Sequence, residues 1–159
     1  MKKQLLALAI TAIATSGAFA QATDTLAKIK DSGKISLGVR DSSALSFTLG
    51  NGKYVGFHTE MAERIVDDLN KATGKTLAIT YTPVTSQNRI PLVQNGTVDL
   101  ECGSTTNNMA RQKDVAFAVT TYMEEVRIAT KATSGIAGIK DLNGKTVATT
   151  TGTTSVQTL

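Results

Sequence analysis

The 159-residue sequence predicts an α/β fold with mostly parallel strands. Three observations carry that expectation. Runs with strand patterning alternate with runs of helical patterning along most of the chain. Short clusters of Gly, Asn, Ser and Thr separate them. The composition, 41% hydrophobic, 19% charged and 4% aromatic, suits a globular chain and not a disordered one.

The first twenty residues read as an address. Lys2 and Lys3 give a positive start, and residues 5–14 form an apolar run broken only by Thr11. Ala18 and Ala20 then occupy the positions a signal peptidase inspects. This is the pattern of a secretory signal peptide, cleaved after Ala20. The apolar run is too short for a membrane span, which needs ~20 residues. No Cys adjoins the cleavage site, so no lipid anchor is expected, and a periplasmic, soluble product fits best. Without Lys2 and Lys3 the basic count falls from 17 to 15 against 13 acidic residues, and the net charge from +4 to +2. That surplus makes no case for nucleic acid. A single Cys excludes an internal disulfide framework and a Cys-rich zinc site. A single His leaves only His58 for a Ser-His-Asp arrangement.

The mature chain then divides as follows. Asp24 or Thr25 caps a short helix through Leu26, Ile29 and Lys30, ended by Ser32-Gly33. Residues 34–39 (KISLGV) form a strand, and residues 40–52 a polar loop with Asn51-Gly52 as a turn signal. Tyr54-Val55 is a short extended piece. Residues 59–72 are the clearest helix: Met61, Ala62, Ile65, Val66 and Leu69 share one stripe at helical spacing, closed by Thr73-Gly74. Met61 belongs to the core, and His58 to the cap region or the surface. Residues 77–82 alternate as a strand, bounded by Pro83. Residues 86–95 read as a helix with Pro91 in its first turn, where a missing N–H costs little.

Residues 98–102 (VDLEC) form the next strand, and Cys102 is read as a buried thiol. A Gly-Ser-Thr-Thr-Asn-Asn loop leads into a short helical turn carrying Arg111. Residues 115–119 and 126–130 are two more β-type runs, followed by a soft junction at 133–135. Residues 139–142 form a short amphipathic turn, 145–149 (KTVAT) a strand, and 150–155 a Gly-Thr-rich turn opening a helix. A lone strand and the start of a helix cannot bury a core. A second α/β unit is therefore expected to begin here and to be cut off at Leu159.

In open α/β sheets, ligands bind beyond the carboxyl ends of the strands. Four loops leave such ends. The first carries Arg40; the second Ser86 and Arg89; the third Gly103, Ser104, Thr105, Thr106 and then Arg111; the fourth Thr150, Thr151, Gly152, Thr153 and Thr154. A guanidinium presents paired N–H donors to a carboxylate. Small hydroxyls and backbone N–H groups at a helix start fill the remaining lone pairs. One such loop is usually a plain helix cap beside a solvated Arg. Four at one edge favour an anion site. Three arginines in one cleft repel each other unless the ligand brings more than one negative charge.

Residues 85–108 (TSQNRIPLVQNGTVDLECGSTTNN) with Arg111 resemble the periplasmic amino-acid-binding proteins of ABC importers, solute-binding protein family 3, and within it the glutamate/aspartate-binding branch. The 38–43 (GVRDSS), 54–57 (YVGF), 145–148 (KTVA) and 152–154 (GTT) motifs are similar to the same family. The resemblance runs from about Leu26 to Leu159. It implies a type II two-lobe clamp, with lobe one over 21–131 and the start of lobe two over 132–159. It further implies Ser104, Thr106 and Arg111 on the ligand α-carboxylate. Thr153 and Thr154 would close from the second lobe, and Arg40, with Ser86 and Arg89, would read an acidic side chain.

The implied partners are L-glutamate or L-aspartate and a membrane permease. The receptor would be a monomer without catalysis, cofactor, metal or nucleic acid. The family's acidic residue for the α-ammonium and the returning part of lobe one would lie past Leu159, so this length alone should not clamp tightly. The alternatives are a periplasmic dehydratase-like enzyme on the same fold and a non-functional remnant. The first is disfavoured by His58, away from the strand-end loops, and by Glu101 and Glu124, which show no paired geometry.

Overall fold

The computed structural model describes residues 24–41 and 44–158. The 1–20 signal-peptide reading, and Ser42 and Ser43 of the 38–43 motif, lie outside the described residues. Helix α1 (Thr25–Ser32) starts where Asp24 Oδ1 accepts from the backbone N–H groups of Leu26 and Ala27, at 3.0 and 3.1 Å. Gly33, at φ 66°, ends it in the left-handed conformation that glycine adopts without steric cost.

Strand β1 (Lys34–Val39) is the centre of a three-stranded parallel sheet. On one side it pairs with β4 (Ala78–Pro83), from Lys34 opposite Ala78 to Val39 opposite Pro83. On the other it pairs with β5 (Leu100–Glu101), Leu37 opposite Leu100 and Gly38 opposite Glu101. Pro83 is tolerated because β4 is an edge strand. Asp99 fastens β5 to its neighbours: Oδ1 pairs with Lys28 Nζ at 2.8 Å and Oδ2 accepts from Ser36 N at 2.9 Å.

The core forms on β1, whose Ile35, Leu37 and Val39 are buried with Ile29, Ala62, Val66 and Leu77. Each of the buried Ile, Leu and Val side chains contributes roughly 1.5–3 kcal/mol of burial. Helix α2 (Phe57–Thr73) supplies Ala62 and Val66 to it. Leu69 packs partly against the core, Met61 is half-buried, and Ile65, at the edge of the same stripe, is 38% exposed.

The structure departs from the sequence reading in several places. The 40–52 loop contains strand β2 (Phe47–Gly50), which pairs antiparallel with β3 (Lys53–Val55) through a turn at Asn51 and Gly52, both at positive φ. The predicted 86–95 helix is shorter, α3 (Arg89–Gln94), because Thr85 and Asn88 exchange side-chain to backbone bonds and form a turn first. Pro91 does fall in its first turn. The 98–102 strand is reduced to β5.

No strand forms at 115–119, 126–130 or 145–149. A strand is defined by its ladder, and these runs have no ladder partner among the described residues. Arg111–Lys113, Ile139–Leu142 and Thr154–Gln157 are single 3₁₀ turns, the last where a helix was expected to open. His58 is not on the surface: it lies in the first turn of α2, 4% exposed, with Nε2 3.1 Å from Thr121 Oγ1. Cys102 is half-buried and not fully enclosed.

Candidate functional site

Because β4, β1 and β5 run parallel, their carboxyl ends share one edge of the sheet. Arg40 follows β1 directly. Its backbone N–H donates to Ser46 Oγ at 3.1 Å, and that hydroxyl donates back to the Arg40 carbonyl. Thr59 Oγ1 donates to the same Ser46 oxygen at 3.0 Å. Ser46 is fully buried, so this pin is rigid. It turns the Arg40 guanidinium toward the next loop, where Nη2 donates to Ser86 Oγ at 3.1 Å and Nη1 to the Val84 carbonyl at 3.4 Å.

Arg89, first residue of α3, is 2% exposed, and its Nη1 lies 3.5 Å from Ser104 Oγ on the loop after β5. Its Nε has no hydrogen-bond partner. Burial lowers the Arg89 pKa to about 10; Glu101 opposes the shift, and Arg111 and Arg40 add to it. The side chain therefore stays charged at neutral pH. The Thr105 hydroxyl donates to Oε2 of Glu101, on β5, at 2.7 Å.

Arg111 bridges to the segment near the end of the chain. Asn108 Oδ1 accepts from its backbone N–H at 2.9 Å, while Nη1 donates to the Thr106 carbonyl at 3.0 Å and Nη2 to the Gly152 carbonyl at 3.1 Å. The Thr106 and Thr154 hydroxyls lie 3.4 Å apart. Gly152, at φ 79°, packs against the second loop, where a Cβ would fall 2.7 Å from the Ser86 carbonyl oxygen. An open pocket of about 310 Å³ is lined by Arg111, Asn108, Gly152, Thr153 and Thr154 among others. A larger opening, about 430 Å³, is lined by Ile139, Leu142, Val147 and Val156 with Lys145 and lacks the arginines. The chemistry favours the former.

The sequence-predicted residues thus gather in three linked groups. Arg40 meets Ser86, Arg89 meets Ser104, and Arg111 meets Thr106, Gly152 and, through Thr106, Thr154. Two details differ from the expected grouping. Ser104 lies on Arg89 and not on Arg111, and the Thr153 hydroxyl donates to its own turn at Thr150. Ser46, Thr59, Asn108 and Glu101 were not among the expected site residues. A lone Ser or Asn carries no signal of its own until the fold gives it a partner.

Three guanidiniums, two of them buried, face small hydroxyls and backbone carbonyls. An incoming carboxylate makes shorter and stronger charge-assisted bonds than those neutral acceptors do. Among the described residues no group of three His, Cys, Asp or Glu is placed to hold a metal ion.

The family model described as bacterial extracellular solute-binding proteins, family 3, matches residues 35–155. The chain is 48% identical over 140 residues to the L-glutamate/L-aspartate-binding protein of Pseudomonas aeruginosa, covering 86% of this chain and 46% of that protein. It is 44% identical over 158 residues to the glutamate/aspartate import solute-binding protein of Escherichia coli K12, covering 94% and 52%. Both relatives are named as binding proteins, not enzymes.

Among solved structures, a solute receptor for L-cysteine of Neisseria gonorrhoeae aligns with TM-score 0.52 and 31% identity, covering 58% of this chain and 37% of that one. The arginine-bound form of domain 1 from TmArgBP aligns with TM-score 0.50 and 24% identity, covering 71% and 78%. The latter coverage matches one domain of the α/β binding-protein fold. The chain spans about half the length of the curated relatives it matches. By that match, over most of its length, the chain belongs to the bacterial extracellular solute-binding proteins, family 3.

Proposed function

We propose that this chain is part of the periplasmic substrate-binding component of an ABC importer for acidic amino acids, L-glutamate and L-aspartate. The observation that carries the reading is the arginine edge: Arg40, Arg89 and Arg111 converge at the carboxyl ends of three parallel strands. Identities of 48% and 44% to glutamate/aspartate-binding proteins support the same choice of ligand.

Arg111, with Ser104 and Thr106, takes the α-carboxylate. Arg40, with Ser86 and Arg89, takes the side-chain carboxylate. Residues 21–131 serve as lobe one, and 132–159 begin lobe two, from which Thr153 and Thr154 close over the ligand. Closure around the ligand selects the form that docks on the membrane permease, and the receptor acts as a monomer without chemistry on its ligand.

Calorimetric titration with L-glutamate, L-aspartate, L-glutamine and L-lysine tests this. In a protein carrying both lobes, the two acidic amino acids are expected to bind, L-glutamine more weakly, and L-lysine not at all. Arg111→Ala is expected to abolish binding of every amino acid alike. Equal affinity for L-lysine, or retained binding in Arg111→Ala, would overturn the assignment.

A further inference from the structure

Glu101, the last residue of the outer strand β5, sits at the arginine edge in a slot flanked by two glycines. On one side a Cβ at Gly38 would lie 3.1 Å from Glu101 Cγ. On the other a Cβ at Gly103 would lie 2.2 Å from Oε1 and 2.9 Å from Arg40 Cγ. Gly103 is therefore required for Oε1 to lie where it does and also admits the Arg40 stem, while Gly38 leaves close room for the Glu101 stem. Thr105 holds Oε2 at 2.7 Å. Oε1 is buried with no hydrogen-bond partner, as is Arg89 Nε. A buried acceptor left without a donor is costly, so its retention needs a reason. Arg89 is attracted by Glu101 and repelled by Arg111 and Arg40, so at Arg89 the Glu101 carboxylate opposes the two neighbouring guanidiniums.

We propose that Glu101 is a positioning residue of the ligand site: an internal counter-charge that offsets one of the three arginines, so that the edge accepts two carboxylates and no more. Three guanidiniums and one carboxylate leave two positive charges, matching the two carboxylates of an acidic amino acid. This matching rests on the proposed function; the counter-charge itself rests only on the slot and its neighbours. Two consequences of opposite sign follow. The Glu101 charge stabilises the ligand-free protein, where the arginines would otherwise repel each other. It also repels an arriving anion, so it weakens binding and excludes surplus inorganic anions.

The test compares the full chain with its Glu101→Gln and Glu101→Asp variants by thermal melting and titration. Glu101→Gln is expected to melt roughly 2–8 °C lower without ligand. It should bind L-glutamate at least about threefold more tightly, a gain that loss of packing alone would not give. Sulfate, compared with chloride at equal ionic strength, should raise its melting temperature more than it raises that of the unmodified chain. Glu101→Asp, which keeps the charge, should match the unmodified chain in affinity.

Weaker or unchanged glutamate binding in Glu101→Gln, with an unchanged sulfate response, would overturn the proposal. If Glu101→Gln does not fold in chloride, sulfate should restore it; failure to do so also overturns it. If the unmodified chain binds no L-glutamate while the sulfate difference persists, the acidic-amino-acid reading falls and the counter-charge stands.

Discussion

Residues 24–113 and 114–158 carry similar sequence patterns and differ sharply in structure. KISLGV at 34–39 becomes the central strand of a sheet, with Ile35, Leu37 and Val39 at 0–2% exposure. KTVAT at 145–149, likewise read as a strand, has only Val147 as a large apolar residue and forms no ladder. Every buried residue among those described lies at or before Val98. After it, Val119 and Met123 are each 86% exposed. Alternation tells which face of a strand is apolar; it does not supply the neighbour that makes the strand. The loops of the two regions nonetheless meet, because Arg111 donates to the Gly152 carbonyl and Gly152 packs on Ser86. The site therefore spans a region with a core and a region without one.

Substitutions can break that contrast. The largest effect is expected for Leu37→Ala, which empties a fully buried position beside the other core strands. It should cost about 2–5 kcal/mol. Val126→Ala, at a position 55% exposed, should stay within about 0.5 kcal/mol. Urea unfolding of both variants measures the difference, and equal losses would erase the distinction between the regions.

Gly38→Ala comes next. Its Cβ would press on Val98 and Glu101, where β5 joins β1, at 3.0 and 3.1 Å. Overpacking of this kind costs roughly 1–3 kcal/mol. Asp24→Ala removes the two capping bonds of α1 and should cost about 1 kcal/mol. Thr153→Ala, preceding a 3₁₀ turn whose start its side chain does not cap, should cost less than half of that.

The last effect is a pH dependence confined to the packed region, absent at neutral pH. Burial raises the Cys102 thiol from 9.0 to about 11, with the Glu101 charge adding to it. Burial and the Glu63 hydrogen bond raise the Tyr81 phenol from 10.0 to about 12. In both groups the folded state favours the neutral form. Their stability contribution is complete below the unfolded values and is lost as pH rises, from about 9 to 11 for the thiol and 10 to 12 for the phenol. Stability should stay flat from pH 7 to 9 with respect to these groups and then decline. Cys102 should also alkylate slowly at pH 8. Rapid alkylation there would show that the thiol is not shielded.

What was legible in the sequence follows the same division. Asp24, Gly33, Gly74 and the Met61–Leu69 stripe marked their helices because capping and periodicity act within a few residues. The strand at 34–39 and its partner near 78–83 were legible because both faces of the centre are apolar or small. The β2–β3 hairpin was hidden, since Phe47 and Leu49 are exposed and only Asn51-Gly52 signalled it. The buried place of His58 was hidden too, and its Nε2 partner, Thr121, lies 63 positions away. Arg40, Arg89 and Arg111 were singled out from their positions in the loops after strands, and their role toward a ligand is the proposal made above. The pin of Ser46 and Thr59 on Arg40, and the slot that Gly38 and Gly103 make for Glu101, exist only once the sheet is assembled.

The most direct test is titration of L-glutamate against L-glutamine in the unmodified chain and in Arg40→Ser. These ligands differ only in the side-chain group assigned to Arg40, Ser86 and Arg89. The unmodified chain should prefer L-glutamate. In a protein carrying both lobes, Arg40→Ser should lose about 2–5 kcal/mol of glutamate binding, the cost of leaving a buried carboxylate unpaired. Its glutamine affinity should change little, so the preference collapses. A glutamate-to-glutamine ratio unchanged by Arg40→Ser would contradict the assignment of the arginine edge to an acidic side chain.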